Sequence, residues 1–221
     1  MNYLANFLSG LSLAGGFFSV IFSLKNHFTY ASWAIILSVI FDGLDGQIAR
    51  RNPVPSEFGK ELDSLVDVVS FGIAPSILGY IFVYRNFSYA AISVLFIYLV
   101  CSVTRLAEYN ITAKEKLANY FYGLPTTISG GILASFILIY RKYTRLPSPF
   151  IFLLIVLGLS FLMVSKVRYP NLDGLKQILG KKILPFSLIA LIVFVFIPEI
   201  TLFALFVIYL TLCPFLLKKI V

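Results

Sequence analysis

The sequence has little of what many metal and redox sites are built from. Its 221 residues include two cysteines, Cys101 and Cys213, and a single histidine, His27. Both cysteines lie in apolar runs, where a cysteine usually packs as a small hydrophobic side chain. The lone histidine has no companion to share a metal with. The sequence therefore excludes a metal site built from histidine and cysteine.

Charge is also scarce. Only 13% of the residues are charged, 59% are hydrophobic, and the mean hydropathy is +0.93, far from the roughly 25% charged residues of soluble domains. The net charge of +8 comes from basic residues scattered between apolar runs, which excludes the basic stripe of a nucleic-acid-binding protein. Residues 1–24 lack a basic leading segment and a cleavage site, so we expect them to remain as a first span. These features predict an all-α, polytopic integral membrane bundle, with residues 1–221 forming one transmembrane domain.

Eight apolar runs have lengths close to that of a membrane-spanning helix. The predicted spans are residues 4–24, 29–51, 59–83, 87–109, 123–141, 147–165, 183–197 and 199–217. The last two are separated only by Pro198 and Glu199 and can instead be one kinked helix, which gives seven spans. Six spans are a further alternative. The polar segments 110–122 and 166–182 are expected to be loops.

The distribution of basic residues favours eight spans with both termini in the cytoplasm. In that topology 13 of the 18 lysines and arginines lie on the inner side, as the positive-inside rule requires. These residues are Arg50, Arg51, Lys60, Arg105, Lys114, Lys116, Lys166, Arg168, Lys176, Lys181, Lys182, Lys218 and Lys219. A seven-span chain would move the last two to the outer side.

Four of the five aspartates, Asp42, Asp45, Asp63 and Asp67, fall within 26 residues, in predicted spans two and three. A charged carboxylate at the centre of a membrane helix costs roughly 2.5–3.5 kcal/mol or more, so such a cluster is expected to face a polar cavity and to neutralise cations. The spacings of three and four residues put each pair on one helix face. Four carboxylates suit two Mg²⁺ or Mn²⁺ ions, and Ca²⁺ is also compatible.

Small residues accompany the acids and leave space beside the metals for a bulky ligand. The small residues on the two helices are Gly43, Gly46, Ala49, Gly59 and Ser64. Arg50, one turn further along, can grip a phosphate with its donor fork or act only as a topology anchor. Gly15, Gly16, Gly130 and Gly131 are interpreted as points of close helix packing.

The stretch from Asp42 to Asp67 reads D-x2-D-G-x2-A-R-x8-G-x3-D-x3-D. It resembles the signature of the CDP-alcohol phosphotransferases, which are membrane enzymes of phospholipid synthesis. The resemblance implies that the first three aspartates bind metal and that Asp67 lies nearest the acceptor hydroxyl and acts as the base. It also implies that the glycines, the alanine and the arginine of the signature hold the cytidine diphosphate group of a CDP-linked lipid, and that the enzyme is a homodimer. The predicted CDP-lipid site consists of these residues and the neighbouring Asp45 and Ser64: Asp45, Gly46, Ala49, Arg50, Gly59 and Ser64. Asp67 is also predicted to be a metal ligand.

The sequence after the signature is similar to the phosphatidylserine synthase branch, in the run from Asp63 to Pro75 and in three later segments. These are Arg105-Leu106-Ala107 with Tyr109-Asn110, Tyr122-Gly123-Leu124-Pro125, and Met163-Val164-Ser165 with Arg168-Tyr169-Pro170. The resemblance implies transfer of a phosphatidyl-type group to L-serine with release of CMP. Serine brings a carboxylate and an ammonium group, for which Arg105, Asn110 and Arg168 are candidate partners.

Other readings stay open at this stage. Another acceptor, such as glycerol 3-phosphate or an inositol phosphate, fits the same signature. Intramembrane acids also occur in divalent cation channels and transporters. The sequence does not distinguish a diacyl lipid from an archaeal ether lipid.

Overall fold

The computed structural model describes residues 3–50, 57–112, 120–143, 149–171 and 183–217, together with Gly174 and Gly180. Its helices are α1 Tyr3–Leu24, α2 Phe28–Arg50, α3 Glu57–Asp67, a π-helical turn at Val68–Ile73, α4 Ala74–Thr112, α5 Thr126–Lys142, α6 Pro149–Val164, α7 Ile183–Phe196 and α8 Pro198–Leu217. Two short strands are β1 Tyr120–Tyr122 and β2 Arg168–Pro170. The helix positions agree with the predicted apolar runs to within a few residues.

Helix α4 folds back on itself between Val83 and Tyr89. Its 39 residues would be about 58 Å long if straight, but its two halves are in contact. The Tyr98 hydroxyl donates to the Phe71 carbonyl at 2.9 Å, and Ser76 Oγ lies 3.5 Å from the Leu95 carbonyl oxygen. The chain from Glu57 to Ile111 is therefore an antiparallel helical hairpin, as the predicted runs 59–83 and 87–109 require.

In the part of the chain that the structure describes, four helical stretches are long and apolar enough to cross a membrane. They are Tyr3–Leu24, Phe28–Ala49, Glu57–Val83 and Tyr89–Ile111. Shorter apolar helices occur at Phe150–Val164 and Pro198–Leu212. Many large apolar side chains on these helices are exposed, among them Phe17, Phe96 and Phe161. An outer surface of this kind suits a lipid environment, and the architecture is that of a helical membrane protein.

Glycines bring the helices close together. A Cβ at Gly16 of α1 would lie 2.8 Å from Ser70 Cα, and one at Gly15 would lie 2.9 Å from the Ala34 carbonyl oxygen. Both distances are too short for a side chain, so α1 packs directly on α2 and the π-helical turn. At Gly131 of α5 the Phe206 ring of α8 occupies the space of a Cβ. The interpretation of these glycines as packing positions is confirmed.

The strands β1 and β2 were not predicted and qualify the all-α expectation. They pair antiparallel with Phe121 opposite Tyr169, and they join the two segments that were expected to be loops. Gly123 follows β1 with φ +76°, its N–H donates to the Val167 carbonyl at 2.8 Å, and the Met163 carbonyl lies where a Cβ would be. Only glycine suits this turn, because its positive φ is strained for residues with a side chain.

Helices α7 and α8 are separate, with a break at Ile197. Lys142, the last residue of α5, forms an ion pair of 2.9 Å with Glu199 in the first turn of α8. From there α8 runs along α5, past Gly131 and Phe206, and its Tyr209 hydroxyl donates to the Pro170 carbonyl at 2.8 Å. The last helix therefore extends from the ion pair to the β1–β2 pair.

Candidate active site

Three aspartates from two helices converge at one point. Asp42 of α2 and Asp63 and Asp67 of α3 each offer one carboxylate oxygen, and these oxygens all lie within 4.8 Å of one another. Ligand oxygens on opposite sides of one Mg²⁺ or Ca²⁺ ion are roughly 4–5 Å apart. Such a group of carboxylates repels itself unless protons or cations neutralise it. The donor set and its spacing fit a hard divalent cation.

Asp45 lies beside this group and is held by α1. It is 4% exposed, and Ser9, also 4% exposed, donates its hydroxyl to Asp45 Oδ2 at 2.7 Å. The Ala5 carbonyl is a second acceptor for Ser9 at 3.1 Å. Because Ser9 orients the carboxylate, α1 contributes to the site although it carries no acid.

The π-helical turn begins directly after Asp67. A π-helical turn interrupts the regular hydrogen bonding of an α-helix, and such turns are frequent at functional sites. Here the Tyr98 hydroxyl donates to the Phe71 carbonyl at 2.9 Å, and Ser70 donates to the Ser12 carbonyl at 3.0 Å. The turn that follows Asp67 is thus fixed by two neighbouring helices. Asp67 Oδ1 is buried and has no hydrogen-bond partner among the described residues.

The aspartates open onto a cavity of about 330 Å³, within the usual size range of ligand pockets. The acids, with Gly43 and Gly46, form one side. The other lining residues are Val39, Arg105, Leu106, Tyr109, Pro125, Thr126, Thr127, Ile128, Pro170, Asn171 and Tyr209. The cavity wall is therefore completed by α4, α5, β2 and α8.

Arg105 is the one cationic side chain among the described residues that line this cavity. It is 6% exposed, and its Nε has no hydrogen-bond partner in the described part of the chain. Its guanidinium carbon lies 5.5 Å from the centre of the Tyr109 ring, and a Cβ at Gly123 would lie 3.2 Å from Nε. A buried arginine with an unused donor is costly unless an anion completes it, so this side of the cavity suits a carboxylate or phosphate.

Comparison with known families decides the class of protein. A family model described as CDP-alcohol phosphatidyltransferase matches residues 2–165. The chain belongs to this family. The match ends before β2, α7 and α8, so these elements lie outside the matched region.

Relatives in bacteria and archaea narrow the resemblance. The chain is 34% identical over 173 residues to a CDP-diacylglycerol–serine O-phosphatidyltransferase of Helicobacter pylori, covering 77% of this chain and 73% of that protein. It is 34% identical over 174 residues to an archaetidylserine synthase of Methanothermobacter thermautotrophicus, covering 78% and 71%. It is 33% identical over 178 residues to a CDP-diacylglycerol–serine O-phosphatidyltransferase of Bacillus subtilis, covering 77% and 92%.

The remaining positions of the family signature differ in whether they line the cavity. Gly46 lines the cavity, whereas Ala49 is exposed and Gly59 is half-buried. Ser64 donates to the Lys60 carbonyl at 3.1 Å and accepts from Asn110 Nδ2 at 2.8 Å. The backbone of Arg50 ends α2, and its side chain lies outside the described residues.

Of the three predicted serine partners, Arg105 reaches the cavity. Asn110 ties the end of α4 to α3 through Ser64, and its carbonyl accepts from Lys60 at 3.2 Å. Arg168 is exposed on β2, with its guanidinium carbon 4.9 Å from the centre of the Tyr120 ring and 5.8 Å from that of Tyr122. Neither Asn110 nor Arg168 is among the described residues that line the cavity.

Sequence reasoning missed Ser9 and Tyr209. Ser9 belongs to a face of α1 with small buried residues every three or four positions, which indicates helix packing but does not single out one serine. Tyr209 lies in an apolar run without any periodic signal. Pro170 belongs to a segment that carries the resemblance to the serine branch, but nothing in that segment indicates that it lines the cavity.

Proposed function

We propose that this protein transfers a phosphatidyl-type group from a CDP-linked lipid to the hydroxyl of L-serine and releases CMP, with a divalent metal as cofactor. The observation that carries the proposal is the convergence of the aspartates and the buried Arg105 on one cavity. The names of the relatives in Helicobacter, Bacillus and Methanothermobacter support serine as the acceptor. They include both diacyl and archaeal products, so CDP-diacylglycerol and its ether analogue are both candidate donors.

The carboxylates fit two Mg²⁺ or Mn²⁺ ions, with Ca²⁺ as a further candidate. Asp42, Asp63 and Asp67 would hold one ion, and Asp45, which lines the same cavity, would be a ligand for a second. All the available ligands are hard oxygens, and Asp67 Oδ1 has a buried lone pair with no partner among the described residues. Bound ions neutralise the diphosphate and the charge that develops on the transferred phosphoryl group.

The donor's diphosphate lies at the acidic side, beside Gly46, with its lipid tails leaving between helices. Gly46 leaves room there, and Ala49, Arg50, Gly59 and Ser64 complete the predicted nucleotide site. Serine enters from the cytoplasm and places its hydroxyl near Asp67. Asp67 accepts the hydroxyl proton while the serine oxygen forms a bond to the phosphorus that carries the lipid. The bond from that phosphorus to the CMP oxygen breaks, and CMP leaves with the electron pair. Positioning and charge neutralisation supply most of the rate.

Arg105 binds the carboxylate of serine. A guanidinium matches a carboxylate with paired donors, and Arg105 is held at the cavity by the ring of Tyr109 and the turn at Gly123. Asn110 and Arg168 remain predicted serine partners. In the described structure they lie outside the cavity, so their contribution would come through the placing of α3 and β2.

The remaining features concern topology and assembly. Residues 1–221 form one transmembrane domain with eight spans, in which the shorter helices α5 to α8 cross together with the four longer stretches. Both termini and the aspartates are on the cytoplasmic side, as the distribution of basic residues predicts. The active unit is a homodimer.

Incorporation of labelled serine tests the function. Purified protein with Mn²⁺ or Mg²⁺ and CDP-diacylglycerol, or its ether analogue, is expected to convert radiolabelled L-serine to a lipid that is resolved by thin-layer chromatography, with one CMP released per lipid. Glycerol 3-phosphate and inositol phosphate are offered in parallel. Product formed with either of these and none with serine would assign another acceptor.

Removal of metal tests the cofactor. Exhaustive chelation is expected to abolish turnover, and Mg²⁺ or Mn²⁺ in excess of the chelator is expected to restore it. The measurement is CMP release before and after readdition. Turnover that persists without metal would show that the carboxylates neutralise charge in another way.

A further inference from the structure

Tyr209 reaches the aspartate cavity from α8, outside the region that the family model matches. The family match ends at residue 165, whereas the lining residues Pro170, Asn171 and Tyr209 follow it in the sequence. One part of the cavity wall is therefore made by residues that follow the matched region.

The Tyr209 ring is held by two contacts with β2. Its hydroxyl donates to the Pro170 carbonyl at 2.8 Å. The ring stacks on Tyr169, with 5.9 Å between centroids and an angle of 18° between planes, and Tyr169 is 1% exposed. Since β2 pairs with β1, the segment Pro170–Asn171 and the Tyr209 ring form one connected wall.

Helix α8 is also fixed one turn earlier. Phe206 occupies the space that a side chain at position 131 would need, so α8 lies close against α5 at this point. Residues three apart share a helix face, and Tyr209 is therefore aimed toward the cavity from the same face as Phe206. This packing limits how far the tyrosine ring can move away.

The wall lies on the side of the cavity where the acceptor is expected. Arg105 lies against the turn at Gly123, whose N–H donates to the Val167 carbonyl just before β2, and β2 holds Tyr209. Arg105 is the proposed partner of the serine carboxylate. In the proposed function the acidic side holds the metal and the diphosphate. In a cavity of about 330 Å³ that also admits the donor's headgroup, a fixed aromatic ring leaves little room for a larger alcohol.

We propose that Tyr209, with the Pro170–Asn171 segment that it holds, limits the size of the acceptor. It thereby selects serine over hydroxy amino acids with a longer side chain. This inference rests on the proposed function. A pocket that excludes one extra methylene discriminates by roughly 10- to 200-fold. Removal of the ring is expected to relax this discrimination without affecting the metal site.

The test compares L-serine with L-homoserine, which is one methylene longer. In Tyr209→Ala, the ratio of kcat/KM for homoserine to that for serine is expected to rise about tenfold or more. The KM for serine is expected to rise, because the acceptor is held less firmly, while the KM for the CDP-lipid stays within about twofold. Tyr209→Leu gives a smaller change in the same direction and keeps apolar volume at the position if the alanine variant is unstable.

Phe203→Ala is the matched control. Phe203 is an aromatic residue of the same helix that packs on Phe136, with 6.2 Å between ring centroids, and it does not appear among the described residues of the cavity wall. Its loss is expected to lower the thermal stability of the protein in detergent but to leave the homoserine-to-serine ratio unchanged. An equal change of the ratio in Phe203→Ala would overturn the proposal, because it would trace the effect to loosened helices.

Failure of the proposed function would look different. If the wild-type protein used another alcohol instead of serine, the acceptor assignment would fail, and the proposed selection of serine by Tyr209 would fail with it. If folded Tyr209→Ala and Tyr209→Leu both kept the wild-type size preference, the proposed size limit set by Tyr209 would be wrong, whereas the proposed transfer to serine would stand.

Discussion

The two sides of the cavity are built in different ways. The acidic side comes from α2 and α3, and its four aspartates lie within 26 consecutive residues. The opposite side is assembled from α4, α5, β2 and α8, with Arg105 and Tyr209 more than a hundred residues apart in the chain. The helix faces of the first side follow from the local spacing of the acids, and this side needs only the packing of α1, α2 and α3. The second side exists only when the whole bundle has packed. The comparison suggests that the first side carries the chemistry that is common to the family, and that the second side selects the acceptor.

The largest expected effect is on the acidic side. Asp67→Asn keeps the size of the side chain but removes the base and one metal ligand, and turnover is expected to fall by about 10²- to 10⁴-fold. Binding of a non-reactive CDP-lipid analogue, measured by calorimetry, is expected to be weakened far less. Near-normal turnover in this variant would mean that the acidic side does not carry the chemistry.

A smaller effect is expected on the opposite side. Arg105→Gln removes a charged hydrogen bond worth about 1.5–3 kcal/mol, so the KM for serine is expected to rise by about 10- to 100-fold. The KM for the CDP-lipid and the metal concentration for half-maximal activity should change little. Arg105→Lys keeps the charge but loses the fork and should give an intermediate KM for serine. A parallel rise in both substrate KM values would remove the distinction between the two sides.

The smallest effect is expected from α1. Ser9→Ala leaves Asp45 in place but frees its carboxylate, and loss of such a supporting partner usually costs 10- to 100-fold in metal affinity or activity. We expect about tenfold weaker Mn²⁺ binding, measured by electron paramagnetic resonance, with the KM for serine unchanged. Ser9→Thr, which retains the hydroxyl, should restore much of this affinity.

Ser23→Ala is the control for Ser9. Ser23 is a fully buried serine of the same helix that donates only to the Ser19 carbonyl, at 2.7 Å, among the described residues. Its replacement should leave Mn²⁺ binding unchanged. Similar loss in both alanine variants would show that Ser9 acts through helix packing rather than through Asp45.

The acidic side was predictable and the opposite side was not. The spacing of Asp42, Asp45, Asp63 and Asp67 fixes their helix faces, and the apolar runs set the helix positions, including the reversal in α4 that Tyr98 and Phe71 confirm. That each helix crosses a membrane, and that there are eight spans, stay predictions.

What sequence reasoning missed depends on contacts between distant segments. The pairing of Phe121 with Tyr169 joins two polar segments whose three-residue strands are too short to show a periodic pattern. In α8 almost every residue is apolar, so nothing in the sequence marks Tyr209 as the one that faces the cavity. Ser9 is one of several serines on its helix, and only the fold places it next to Asp45.

The contribution of α8 also has a consequence for biosynthesis. During synthesis of this protein, the ribosome adds all four aspartates long before it reaches Tyr209. A nascent chain therefore acquires its acidic groups early, while the pocket for the small alcohol stays open to one side. Selective turnover would begin only after α8 has entered the bilayer and packed with Phe206 against Gly131 of α5.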